Sequence, residues 1–95
     1  MHFFLKLNPP RATFISVMTE EERNIMLQHV EYWGKLLKQG IAIAYGPVFD
    51  PVGGYGIGII CVEDENQLKD LISKDPANGL HRYEYYPMRA VYNQL

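Results

Sequence analysis

The chain has 95 residues, enough for one hydrophobic core and too few for two. Hydrophobic residues make up 47% of it, which excludes a disordered chain, and a formal net charge of -2 with no basic run argues against nucleic acid or an anionic membrane surface as partner. No stretch approaches the roughly 20 apolar residues of a membrane span, and MHFFLKLNPP has neither the apolar length nor the charged start of a signal peptide.

Residues 1–95 therefore read as a single domain. The first expected element is a strand over His2–Asn8, with Phe3, Leu5 and Leu7 on one face and Phe4 making the other partly apolar. Pro9-Pro10 stops it, because proline has no amide to donate. Arg11 to Met18 forms a link, in which Phe14, Ile15 and Val17 are expected to pack down.

Thr19 to Gly40 reads as one long amphipathic helix marked at both ends. Thr19 can cap the N-terminus, and Glu22 completes a capping box. Glu20, Glu21 and Glu22 suit the positive end of the helix dipole, Lys35 and Lys38 the negative end, and Gly40 the left-handed position beyond it. Ile25, Met26, Val30, Trp33, Leu36 and Leu37 make one apolar stripe. His29 lies inside that stripe, four residues after Ile25 and four before Trp33.

A second strand is expected over Ile41–Phe49, with Gly46-Pro47 bending or ending its regular part. Asp50-Pro51-Val52-Gly53-Gly54 is turn chemistry and leads by a hairpin into a third strand, Tyr55–Val62. There Tyr55, Ile57, Ile59 and Cys61 share one face, and Gly54, Gly56, Gly58 and then Ile60 the other. A glycine row weakens a strand unless another backbone or a ligand must come close. Cys61, the sole cysteine, cannot form an intrachain disulfide and reads as a buried, inert thiol, which fits a reducing cytoplasm. A second helix, Asp64–Lys74, starts at an Asp64 cap, buries Leu68, Leu71 and Ile72, and ends at Asp75-Pro76, since a residue before proline disfavours helical geometry. Ala77-Asn78-Gly79 is a turn, His81–Tyr86 the last strand and Pro87–Leu95 a tail.

The order strand, helix, strand, strand, helix, strand implies a ferredoxin-like α+β fold: a four-stranded antiparallel sheet with both helices on one face. The link with Arg11, the hairpin with Asp50 and the turn with Asp75 then share one end of the sheet. The strands carry apolar or aromatic residues on both faces, as in Phe3 with Phe4, Ile59 with Ile60 and Tyr85 with Tyr86. An open second face would be a larger apolar patch than monomers usually show, so a homodimer packed sheet on sheet is expected.

Chemistry points to few residues. His2 and His81 should sit at opposite ends of neighbouring strands, and there is no HExxH, paired CxxC or carboxylate-rich loop, so no metal is expected. There is no GxSxG elbow or phosphate loop, and GGYGIG enters a strand instead of opening a helix. His29 remains, since an imidazole can give or take a proton near neutral pH. Asp75 is its expected partner, although it must reach inward from its turn. A histidine on an apolar helix face can equally be a hydrogen-bonded core residue, and an Asp before Pro can simply close a helix. Arg11 could hold an anionic group bidentately or pair with Glu20, Glu21 or Glu22. Trp33 and Tyr45 are further candidates for substrate contact, and glycines at 54, 56 and 58 could leave the space.

His29 with Tyr32-Trp33 and Leu36, then Gly40, Gly46-Pro47, a glycine-bearing strand, Asp75-Pro76 and Pro87-Met88 together resemble the YCII-related (YciI-like) proteins. Arg11 before Phe14, and Asp50-Pro51 after Gly46-Pro47, resemble one branch of that family. The resemblance spans nearly the whole chain. It implies a dimeric α+β barrel of ferredoxin-like subunits, with a site built around His29 and Asp75. Most of the family has no assigned reaction, and its barrel relatives include lyases, isomerases and monooxygenases as well as domains that only bind. The expected function is a small cofactor-independent enzyme, of lyase or isomerase type, using His29 and Asp75 on a small organic metabolite anchored by Arg11. The alternatives are a non-catalytic ligand-binding or accessory module, and a purely structural His–Asp pair.

Overall fold

The computed structural model describes residues 1–93; Gln94 and Leu95, the end of the expected tail, lie outside the described residues. The elements are β1 (His2–Asn8), α1 (Glu20–Lys38), β2 (Ala42–Val48), β3 (Tyr55–Cys61), α2 (Glu65–Lys74) and β4 (Arg82–Met88). They form one antiparallel sheet in the order β2-β3-β1-β4. This is the ferredoxin-like α+β arrangement expected from the element order. Among the described residues no helix is long and apolar enough to cross a membrane.

The helix ends form as their residues dictate. Thr19 accepts from the Glu22 amide at 3.1 Å, and the Glu22 carboxylate accepts from the Thr19 amide at 2.9 Å. Gly40, with φ 78, takes the left-handed position past the end of α1. Asp64 caps α2 by accepting from the Gln67 amide at 2.9 Å.

The register decides what lies beneath α1. Phe3, Leu5 and Leu7 face the helices and pair with Ile60, Gly58 and Gly56 of β3. Phe3, Leu5, Ile60, Trp33, Leu36 and Leu68 are buried in one cluster between sheet and helices. Each fully buried side chain there contributes about 2 kcal/mol from area removed from water. The glycines stand in the same row as those residues but add no side chain. The sheet is therefore thin beneath part of α1.

Several expectations are corrected. β4 runs over Arg82–Met88, so Pro87 and Met88 are strand and His81 is not. β2 likewise runs through Pro47 to Val48. Both are edge strands, where a missing amide can face outward without breaking the ladder. Phe14 packs down as expected, but Val17 is 62% exposed. Val30 and Leu37 are also largely exposed, because the buried stripe of α1 is narrowed to His29, Trp33 and Leu36 with partly buried neighbours.

Candidate functional site

His29 and Trp33 are four residues apart on α1, so their side chains lie one above the other on the buried face. Asp75 is the C-cap of α2, with φ -66 and ψ 128. Pro76 imposes that extended backbone, which turns the carboxylate inward while the Asp75 amide still donates to the Ile72 carbonyl at 3.2 Å. The residue closes its helix and reaches the core at once.

The Asp75 side chain is 0% exposed and fully engaged. His29 Nδ1 lies 2.8 Å from Oδ1 and 3.0 Å from Oδ2. The Trp33 indole donates to Oδ2 at 2.7 Å, the Tyr83 hydroxyl to Oδ2 at 2.6 Å, and the Ala77 amide to Oδ1 at 2.9 Å. Burial pushes the Asp75 carboxyl up, but the hydrogen bonds from His29, Tyr83 and Trp33, with the attraction of His29, outweigh it and hold the pKa below the usual carboxylate value. Burial and the Asp75 charge push the Tyr83 phenol far up, and the Tyr32 phenol to about 12, so both stay donors. An ionised carboxylate only accepts. Nδ1 of His29 therefore carries a proton toward Asp75, and Nε2 is the ring nitrogen left outside this network.

His29 also lines a cavity of about 250 Å³ beneath α1. Trp33, Tyr45, His81, Gly56 and Gly58 contribute to the same wall. The rest is mostly aliphatic and aromatic, including Leu5, Leu7, Phe14 and Met26. The glycines act as the open floor: a Cβ on Gly56 would meet the Leu7 Cβ at 3.5 Å. Tyr45 additionally donates to the Val30 carbonyl across a long 3.3 Å.

Arg11 is placed elsewhere. Its guanidinium grips the Glu22 carboxylate bidentately, at 2.8 and 2.7 Å, and also donates to the Val17 carbonyl. It does not line the cavity. Of the partners considered from the sequence, Glu22 wins because the capping box already fixes its carboxylate at the start of α1. The Arg11 hydrogen bonds, then those of Thr19, hold the Glu22 carboxyl down at about 2.

Sequence reasoning misses Tyr83 and His81. Tyr83 pairs with Leu7 across the β1–β4 ladder, so strand alternation alone points it to the helix side. His81 is expected in a strand and set against His2; its ring centre in fact lies 6.3 Å from that of His29.

The site as a whole is a ferredoxin-like domain in which a carboxylate-anchored histidine faces a mostly apolar cavity. The chain belongs to the YCII-related domain family, whose model matches residues 2–90. A search of curated proteins finds no match. Among solved structures the chain is similar to the 5-chloro-2-hydroxyhydroquinone dehydrochlorinase from Burkholderia phenoliruptrix AC1100, in complex with 2,5-dihydroxybenzoquinone. That likeness has a TM-score of 0.72 at 13% identity and covers 94% of each chain, which shows the fold.

Proposed function

We propose that this protein is a cofactor-independent acid–base enzyme of lyase or isomerase type, acting on a small single-ring metabolite. The observation that carries the reading is the setting of His29: its Nδ1 lies 2.8 Å from the Asp75 carboxylate while its ring lines the cavity, where Nε2 would meet a ligand. An apolar cavity of roughly 150 Å³ accepts benzene. About 250 Å³ suits one substituted ring. His29 Nε2 would take a proton from an acidic C–H, while Asp75 stabilises the imidazolium that forms. Positioned acid–base catalysis of this kind contributes about 10²- to 10⁴-fold. The dehydrochlorinase of the same fold, which binds a hydroxylated quinone, makes such rings a reasonable first panel. Trp33 and Tyr45 would contact the ring, and Arg11, engaged by Glu22, would act as a strut of the entrance link instead of an anion anchor.

The test incubates cyclic enones and halogenated hydroquinones with the protein in D₂O and follows deuterium uptake or halide release by NMR. Turnover by the wild type that is abolished in His29→Ala supports the proposal. Equal turnover in both, or none from the wild type across the panel, ends it. A second reading, a module that binds without reacting, is favoured by the largely carbon-lined wall. It would appear as ligand capture without exchange, unaffected by pH between about 5 and 8.

We further infer a homodimer. The face of the sheet away from the helices carries Phe4, Ile57, Ile59, Cys61, Tyr86 and Met88 in register. Tyr86 is 55% exposed on it, and a second copy would cover this surface. The free thiol of Cys61 favours a reducing compartment such as the cytoplasm.

A further inference from the structure

His81 takes no part in the His29–Asp75–Tyr83–Trp33 network, yet it lines the same cavity. Its backbone amide is tied to the Ala77 carbonyl at 3.0 Å, just before β4 begins. Its ring is held edge-on between Phe14, at 5.0 Å between centres, and His29, at 6.3 Å. Both packing angles are near perpendicular, which suits aromatic edges.

Burial pushes the His81 imidazole down, and the neighbouring His29 pushes it further. Asp75, the Leu80 carbonyl and Glu22 pull the other way and lose. The ring is thus neutral at neutral pH, with one donor nitrogen and one acceptor. Among the described residues Nδ1 is buried with no hydrogen-bond partner of good geometry, and the Leu80 backbone exerts only a weak pull toward the protonated ring, outweighed by burial. A proton left on a buried nitrogen with no acceptor is the dearer arrangement, because orphaned donors are rarer than under-used acceptors. The proton therefore sits on Nε2. When both rings are neutral, the two histidines then offer opposite polarity to one cavity: His29 a lone pair, His81 an N–H.

We propose that His81 is a second substrate-contacting residue, donating a hydrogen bond from Nε2 to a ring oxygen of the molecule whose proton His29 takes. This rests on the acid–base reading above and narrows its substrate class to single-ring compounds bearing a carbonyl oxygen conjugated to the reacting carbon. In the step, the C–H bond breaks and an Nε2–H bond forms on His29. The electron pair moves through the new C=C bond to the oxygen, where the His81 N–H meets the developing negative charge. The pair then returns, either expelling a leaving group or taking the His29 proton at another carbon, so atoms and electrons balance without a co-reactant.

Hydroquinone and p-xylene have nearly the same outline and differ in whether oxygen or methyl stands at the para positions. Both are titrated into the wild type and His81→Phe, and histidine ring nitrogens of the ¹⁵N-labelled wild type are followed by NMR. Hydroquinone is expected to bind the wild type, to lose about tenfold in His81→Phe, and to shift the Nε2 resonance of His81. p-Xylene is expected to bind both proteins alike, because the substitution keeps an aromatic ring in edge contact with Phe14. Equal hydroquinone affinity in the two proteins, or no shift at His81, overturns this assignment and leaves the His29 reading intact. Failure of the wild type to bind either ring overturns both. Should His81→Phe fail to fold, the wild-type resonance decides alone.

Discussion

Trp33 and Tyr83 converge on a single atom, Oδ2 of Asp75, from a helix and a strand at 2.7 and 2.6 Å. Two rigid aromatic donors on one oxygen leave the carboxylate no freedom to rotate, and His29 inherits that rigidity through Nδ1. Tyr83→Phe removes one donor to a buried charge. It is expected to lower stability by about 2 kcal/mol in urea unfolding, with little change of fold. An unchanged midpoint would show that the Tyr83 bond is not formed in solution.

Asp75→Asn is the sharper test of the network. The amide must turn its NH₂ toward at least one of His29, Trp33, Tyr83 or the Ala77 amide, all of which lie within hydrogen-bond distance. We expect a loss of about 3 kcal/mol or more and a tautomer change at His29, read from its ring nitrogens by NMR. Retention of the Nδ1–H form would contradict the account of how Asp75 orients that ring.

The cavity depends on what β3 lacks. A Cβ on Gly56 meets only ordinary contact at the Leu7 Cβ, 3.5 Å away. Gly56→Val should therefore fold, at equal or better stability because a strand glycine is replaced, while filling the floor. Binding of p-xylene is expected to fall by about tenfold or more. Undiminished binding would place ligands outside this cavity.

Acid sensitivity should come in two steps. His81 has a folded pKa below its ordinary 6.5, so the unfolded chain binds more protons and stability falls as pH drops below 6.5. Asp75 is also held low, below 3.8, so its contribution is present above that pH and is lost as pH falls further, through the folded value. Burial is the leading cause for His81, opposed by Asp75 and Glu22; the His29, Tyr83 and Trp33 hydrogen bonds outweigh burial for Asp75. Thermal melts from pH 7.5 to 5 should decline in the wild type and decline less in His81→Phe. Equal slopes would remove His81 as the source of the first step.

The fold was legible because its signals are local. The capping box at Thr19 and Glu22, the alternation in β1 and the Asp75-Pro76 stop each fix an element from a few neighbouring residues. The His29–Asp75 partnership was legible as a suspicion, and the resemblance of the whole chain sharpened it. What escaped were properties of the assembled sheet. Pro47 and Pro87 read as strand breakers because only strand order reveals that β2 and β4 are edges. His81 read as a strand residue far from His29 because the turn after Asp75 folds it back under α1. Arg11 left two readings open because only the folded link brings both of its terminal nitrogens onto Glu22.

Those two prolines have a consequence for the protein's behaviour at high concentration. Each border strand, β2 and β4, carries a residue that cannot donate to an incoming chain. Lateral zippering of one molecule onto the next is thereby interrupted on both flanks, and growth into a cross-β filament lacks a template. Concentrated stocks should therefore stay clear and negative for thioflavin staining.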